Sequence, residues 1–121
     1  MTESEFWVYL KAMQSKGRVE QVSGYIDTGG QATQAGGVYC GGHSVLFKGY
    51  DTIAKNIVIA MGDLLLNKAV SLQAKEVILM ILAHHPSHEA LFALELYSKA
   101  PNEELKYTAY FALEECRWWN E

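Results

Sequence analysis

Three of the four histidines, His84, His85 and His88, bracket Pro86 and raise the question of a metal site. Adjacent histidines on a helix diverge by about 100°, and a proline breaks the register before the third. No tripod of the kind zinc needs is therefore prearranged, and no acid stands as in the H-E-x-x-H helix. The three read as ordinary helix C-terminal histidines, favoured there by the helix dipole. A second constellation is Cys40 and His43, a C-x-x-H inside a glycine-rich stretch. A nucleophilic cysteine needs a base in contact and donors aimed at an oxyanion, which glycine amides can supply. The spacing marks no cysteine nucleophile, so a small buried thiol in a turn is the plainer reading. An enzyme or ligand-binding protein working through Cys40 and His43 stays open as the alternative function.

The glycine pairs at 29–30, 36–37 and 41–42 match neither G-x-G-x-x-G nor G-x-x-x-x-G-K-[ST], so no nucleotide cradle follows. Paired acids in a cleft context are lacking too. The expectation is a protein that is not an enzyme and needs no metal or cofactor. The chemistry that remains is recognition. In the last helix Leu105, Ala109, Ala112, Leu113 and Cys116 recur at spacings of three and four and form an apolar face. The opposite face carries Glu103, Tyr107, Tyr110, Glu114 and Arg117, and ends near Trp118 and Trp119. Tyrosine and tryptophan offer large contact area at low entropic cost, and acids select a basic partner. Glu103, Tyr107, Tyr110, Glu114, Arg117 and Trp118 are thus the candidate partner-binding residues. The competing reading packs the tyrosines against a neighbouring helix or the glycine-rich segment.

These side chains sit in a chain of 121 residues, half hydrophobic and a fifth charged, with a formal charge of −4. That length suits one domain, 1–121, with a core that needs no disulfide or metal. With a mild acidic balance and no basic cluster, neither nucleic acid nor anionic membrane is an expected partner. MTESEFWVYLK at the start has no signal-peptide pattern, and the longest apolar run, Val77 to Ala83, is too short to span a bilayer. Cys40 and Cys116 make no disulfide framework, so a cytoplasmic, reduced protein is expected.

Apolar spacing predicts a helix over Glu3–Ser15, with Thr2 and Glu5 as a capping box and Gly17 at its end. A second short helix is predicted over Arg18–Asp27. The glycine-rich stretch 29–49 then reads either as a small β-hairpin about Gly41 and Gly42 or as an ordered loop whose Val38, Tyr39, Val45, Leu46 and Phe47 tuck onto the helices. Helical spacing returns with Asp51 as cap and Ile53, Ile57, Ala60, Met61, Leu64 and Leu65 as the apolar stripe. Ser71 caps the next helix, whose VILMILA is apolar all round and therefore central. Two units follow, PSHEALFALELYSKA and PNEELKYTAYFALEE, each opened by a proline and a polar capping residue, Ser87 or Asn102.

The fold class is all-α: about six short helices in three antiparallel pairs, a HEAT-like α-solenoid fragment, with the glycine-rich insertion between the first and second pairs. A six-helix orthogonal bundle is the competing architecture. From Tyr50 to Glu121 the capped repeats and the closing ALEECRWWNE resemble the small HEAT-like immunity proteins of bacterial contact-dependent inhibition systems. The resemblance rests on helix length, capping prolines and an acidic-aromatic end, and supplies no site residue. It implies a cytoplasmic protein that binds one cognate toxin, commonly a nuclease, and neutralises it by covering a cationic active site.

Overall fold

The computed structural model describes residues 1–17 and 46–120, and every described regular element is helical. In order they are α1 (Glu3–Gln14), a 3-10 turn (Tyr50–Thr52), α2 (Lys55–Leu66), α3 (Leu72–Ala83), α4 (His88–Lys99), a second 3-10 turn (Glu103–Leu105) and α5 (Lys106–Trp119). No strand occurs among the described residues. None of their helices is long and apolar enough to cross a membrane. The helix predicted over Arg18–Asp27 lies outside the described residues, as does all of the glycine-rich stretch before Leu46. Leu46 and Phe47, at the end of that stretch, are fully buried against the helices.

Local sequence explains most helix starts. Thr2 Oγ1 accepts from the Glu5 amide at 3.1 Å, and Glu5 Oε1 accepts from the Thr2 amide at 2.8 Å, closing the capping box. Ser71 and Ser87 cap α3 and α4 through the amides of Ala74 and Ala90. Two expected caps are not made. Asp51 sits in the 3-10 turn, and α2 begins later, with Ala54 as an N-cap that gives no side-chain bond. Gly49 turns the chain with φ of +86°, which glycine alone adopts freely, and Ile53 stays extended so that its carbonyl meets His85 Nε2 at 3.2 Å. Asn102 likewise makes no side-chain cap, because its amide is used elsewhere.

α3 is the central element. Eight of its twelve residues are buried, too many for a helix with one wet face. It packs against α2, α4, α5 and the second 3-10 turn. Beyond sequential neighbours, α2 lies on α4 and α3 lies on α5. The α2–α4 approach is close enough that a Cβ on Gly62 would stand 2.8 Å from that of Ala93.

α1 is tied in at its N-terminus. Glu3 Oε2 accepts from the Ser71 hydroxyl at 2.6 Å and from Trp7 Nε1 at 3.1 Å, while Oε1 accepts from the Ser71 amide at 3.0 Å. The Ser71 side chain, then its amide, then the Trp7 indole hold the Glu3 carboxyl below the usual glutamate range. A carboxylate with a depressed folded pKa adds stability above its unfolded pKa and loses it as pH falls through the folded value. Wild-type protein is therefore expected to lose urea resistance between about pH 5 and about pH 3 more steeply than Glu3→Gln. Parallel pH profiles in urea melts would refute the clip.

Candidate functional site

The second helical unit presents α5, and three attachments to α3 or its C-terminal edge set its orientation. At the N-terminal end Asn102 Oδ1 accepts from Lys75 Nζ at 3.2 Å and from the Tyr97 hydroxyl at 2.6 Å. Farther along, His84 Nε2 meets Glu115 Oε2 at 3.1 Å while His84 Nδ1 meets the Met80 carbonyl at 2.9 Å. Both ring partners are acceptors, so both bonds form together only on the doubly protonated ring. At the C-terminal end Asn120 Nδ2 donates to the Cys116 carbonyl at 3.0 Å and reaches the His85 carbonyl at 3.4 Å.

These contacts also place the residues that first suggested chemistry. His84 is the C-cap of α3 and His85 follows it, as helix C-terminal histidines, and both are buried, whereas His88 opens α4. Burial pushes His85 below its usual range, against the opposing pull of the Ile53 carbonyl and the Asp51 and Glu89 charges. The neutral ring then donates from Nε2 to Ile53 and accepts at Nδ1 from the Ser87 hydroxyl at 2.9 Å. Cys116 is fully buried, and burial raises its thiol to about 11, so it stays protonated and inert, as a core cysteine does. Cys40 and His43 lie outside the described residues. Among the described residues no group of histidine, cysteine and acid side chains could hold a metal ion.

The apolar face of α5 is buried as its spacing predicts: Leu105, Ala109, Ala112, Leu113 and Cys116 are all in the core. The expected opposite face is open. Tyr107 is 71 % exposed, Tyr110 55 % and Trp118 68 %, so neither tyrosine is covered by a neighbouring helix. Sequence reasoning missed Phe111, at 65 %, and Phe92 on α4, at 61 %. The signal for Phe111 was present, since Tyr107, Phe111, Glu114 and Trp118 step by four, three and four opposite the buried face. This line is the crest, with Tyr110 and Arg117 on one shoulder.

The crest stands between troughs. On the α4 side two neighbouring hollows, of about 530 and 370 Å³, share Ser98 and Leu113 and are walled by Phe92, Leu96 and Tyr110. On the α3 side a hollow of about 260 Å³ runs past Met80, Ala83, Phe111 and the His84–Glu115 pair.

The electrostatics differ from a plain acidic stripe. Glu103 is paired with Lys106 at 3.0 Å and Glu114 with Arg117 at 2.9 Å, each within one helical turn. The crest is therefore aromatic and nearly neutral. The segment as a whole is acidic, since residues 88–120 hold six carboxylates against three Lys/Arg cations, a net −3 of the chain's −4, with Glu89 reaching Lys55 of α2 and Glu115 turned to His84. No family model, curated protein or solved structure matches this chain.

Proposed function

We propose that this protein is a binding module of the immunity type, whose α5 face covers the active site of a cognate basic toxin, expected to be a nuclease. The observation that carries the reading is the aromatic crest, Tyr107, Phe111 and Trp118, each about two-thirds exposed or more on a rigidly anchored helix. Exposed apolar area of this extent in a soluble domain marks an interaction surface. Aromatic anchors supply contact energy, and the net −3 of residues 88–120 favours approach of a cationic partner. A HEAT-like stack of antiparallel pairs is the architecture proposed with it. It is supported by the packing of α2 on α4 and α3 on α5, the spacing expected when one pair stacks on the next.

The test mixes the purified chain with the product of the neighbouring reading frame, taken as the candidate toxin. A complex of nanomolar affinity, about 12 kcal/mol of binding free energy, and loss of the toxin's activity are expected. Reversing both Glu103 and Glu114 to lysine should slow association about tenfold and flatten its salt dependence. Both sites are exposed ion pairs, so the fold should lose less than about 1 kcal/mol. Unchanged association kinetics in the double reversal would remove α5 from the interface.

A further inference from the structure

We propose that the α5 crest is covered, when no other partner is present, by the α5 crest of a second copy of this chain laid antiparallel to it. The inference rests on the binding reading above, because it assigns an occupant to the same surface. Tyr107, Phe111, Glu114 and Trp118 follow the four-three-four step of a helix–helix seam, in which each residue meets the facing helix. A two-fold axis midway between Phe111 and Glu114 sets Tyr107 against Trp118 of the second copy, and Phe111 against Glu114 of the second copy. Such a pairing is self-complementary only if like charges do not face each other unpaired. The structure meets that condition, since Glu114 is neutralised by Arg117 at 2.9 Å and Glu103 by Lys106 at 3.0 Å within the same chain.

Area sets the strength. A fully buried aromatic side chain contributes about 150–250 Å². At 55–71 % exposure, Tyr107, Tyr110, Phe111 and Trp118 offer roughly 500 Å² per copy, or about 1,000 Å² for the pair. That is the floor for a specific interface, so the dimer is weak and yields to a stronger partner on the same crest. The net −3 on residues 88–120 of each copy adds a long-range repulsion that salt screens over a Debye length of about 8 Å. Self-association therefore strengthens with salt, whereas binding of a basic partner weakens with it.

Sedimentation equilibrium of the full chain, from micromolar to millimolar protein and from low to high NaCl, tests this. The expected result is an average mass that rises with concentration from 13.5 kDa towards twice that value, and rises further with salt. Phe111→Asp should weaken the association at least tenfold with an unchanged circular dichroism spectrum. Val8→Asp, at an equally exposed residue of α1, should leave it intact. Trp118→Asp carries the same expectation if Phe111→Asp fails to fold. A monomer at every concentration and salt, or a dimer indifferent to both crest variants, overturns the proposal. A monomer that still binds the basic partner, losing it with Phe111→Asp, overturns self-association alone. A crest-dependent dimer that binds no such partner keeps self-association and overturns the toxin-binding reading.

Discussion

Replacing Asn102 by alanine is expected to lower the unfolding free energy by about 3 kcal/mol, seen as a drop in melting temperature of roughly 10 °C. The reason is Lys75. It is only 2 % exposed, it has no carboxylate partner among the described residues, and burial holds its ammonium below the usual lysine range. What satisfies it is the Asn102 amide oxygen at 3.2 Å and the face of Tyr97, whose ring centroid is 5.8 Å away. The same side-chain oxygen accepts from the Tyr97 hydroxyl, and the Asn102 backbone N–H donates back to that hydroxyl at 3.1 Å. Burial, reinforced by the Glu104 charge and opposed by that return bond, raises the Tyr97 hydroxyl above its usual range and keeps it a donor. Alanine thus takes the only oxygen partner from a buried cation and the acceptor from a buried hydroxyl, leaving the hydroxyl just the backbone N–H of residue 102, and an unsatisfied buried charge costs more than any one bond contributes.

A double-mutant cycle separates this from ordinary truncation. Lys75→Met removes the charge, fills similar volume and should cost less than about 1.5 kcal/mol alone. In the Lys75→Met background, Asn102→Ala should then cost about 1 kcal/mol, because the ammonium that needed the oxygen is gone. Additive effects would show that Lys75 does not depend on Asn102. The network also bears on function, since Asn102 opens the turn that leads into α5. Loss of the bond should blur the presentation of the crest and weaken partner binding beyond the stability loss.

The second large effect is expected at Gly62. A side chain there meets Ala93 Cβ at 2.8 Å, and a Cβ cannot rotate out of the way because the backbone fixes it. Gly62→Leu should destabilise by about 3 kcal/mol through separation of α2 from α4. Gly62→Ala is the finer test. It gains roughly 1 kcal/mol of helix propensity and loses more to overlap, so a net loss of about 1 kcal/mol is expected. Adding Ala93→Gly should relieve the overlap and recover part of that loss. A Gly62→Ala protein more stable than wild type in chemical denaturation would show that the helices are not in contact there.

Both effects involve positions whose role was misread or invisible in the sequence. Asn102 follows Pro101 as Ser87 follows Pro86, and the parallel suggests two caps. Only Ser87 caps, because the Asn102 side chain is drawn to Lys75, 27 residues earlier. Gly62 carries no signal in the apolar stripe predicted there, and Val58, fully buried in the same helix, is not part of that stripe. Glu3 reads as an ordinary first-turn acid, yet its carboxylate serves Ser71, 68 residues later.

Readings of short range fared better. The capping box of Thr2 and Glu5, the caps at Ser71 and Ser87, the buried spine of VILMILA and the buried face of α5 are set within one or two turns of helix. So is the exposure of Tyr107, Tyr110 and Trp118, which follows once the buried face is known.

What the sequence by itself determined is therefore the helical character, several of the helix starts, and the division of α5 into a core face and an outer face. Spacing and capping act through bonds of three or four residues, and these survive in a linear reading. The tertiary structure alone decided how charge and close contact are distributed. It buried His84 and His85, gave Lys75 to Asn102, and set Gly62 against Ala93. It also showed the crest's acids already neutralised, turning an acidic stripe into an aromatic ridge. Those outcomes depend on which side chains meet across the fold, where desolvation and packing override local preference.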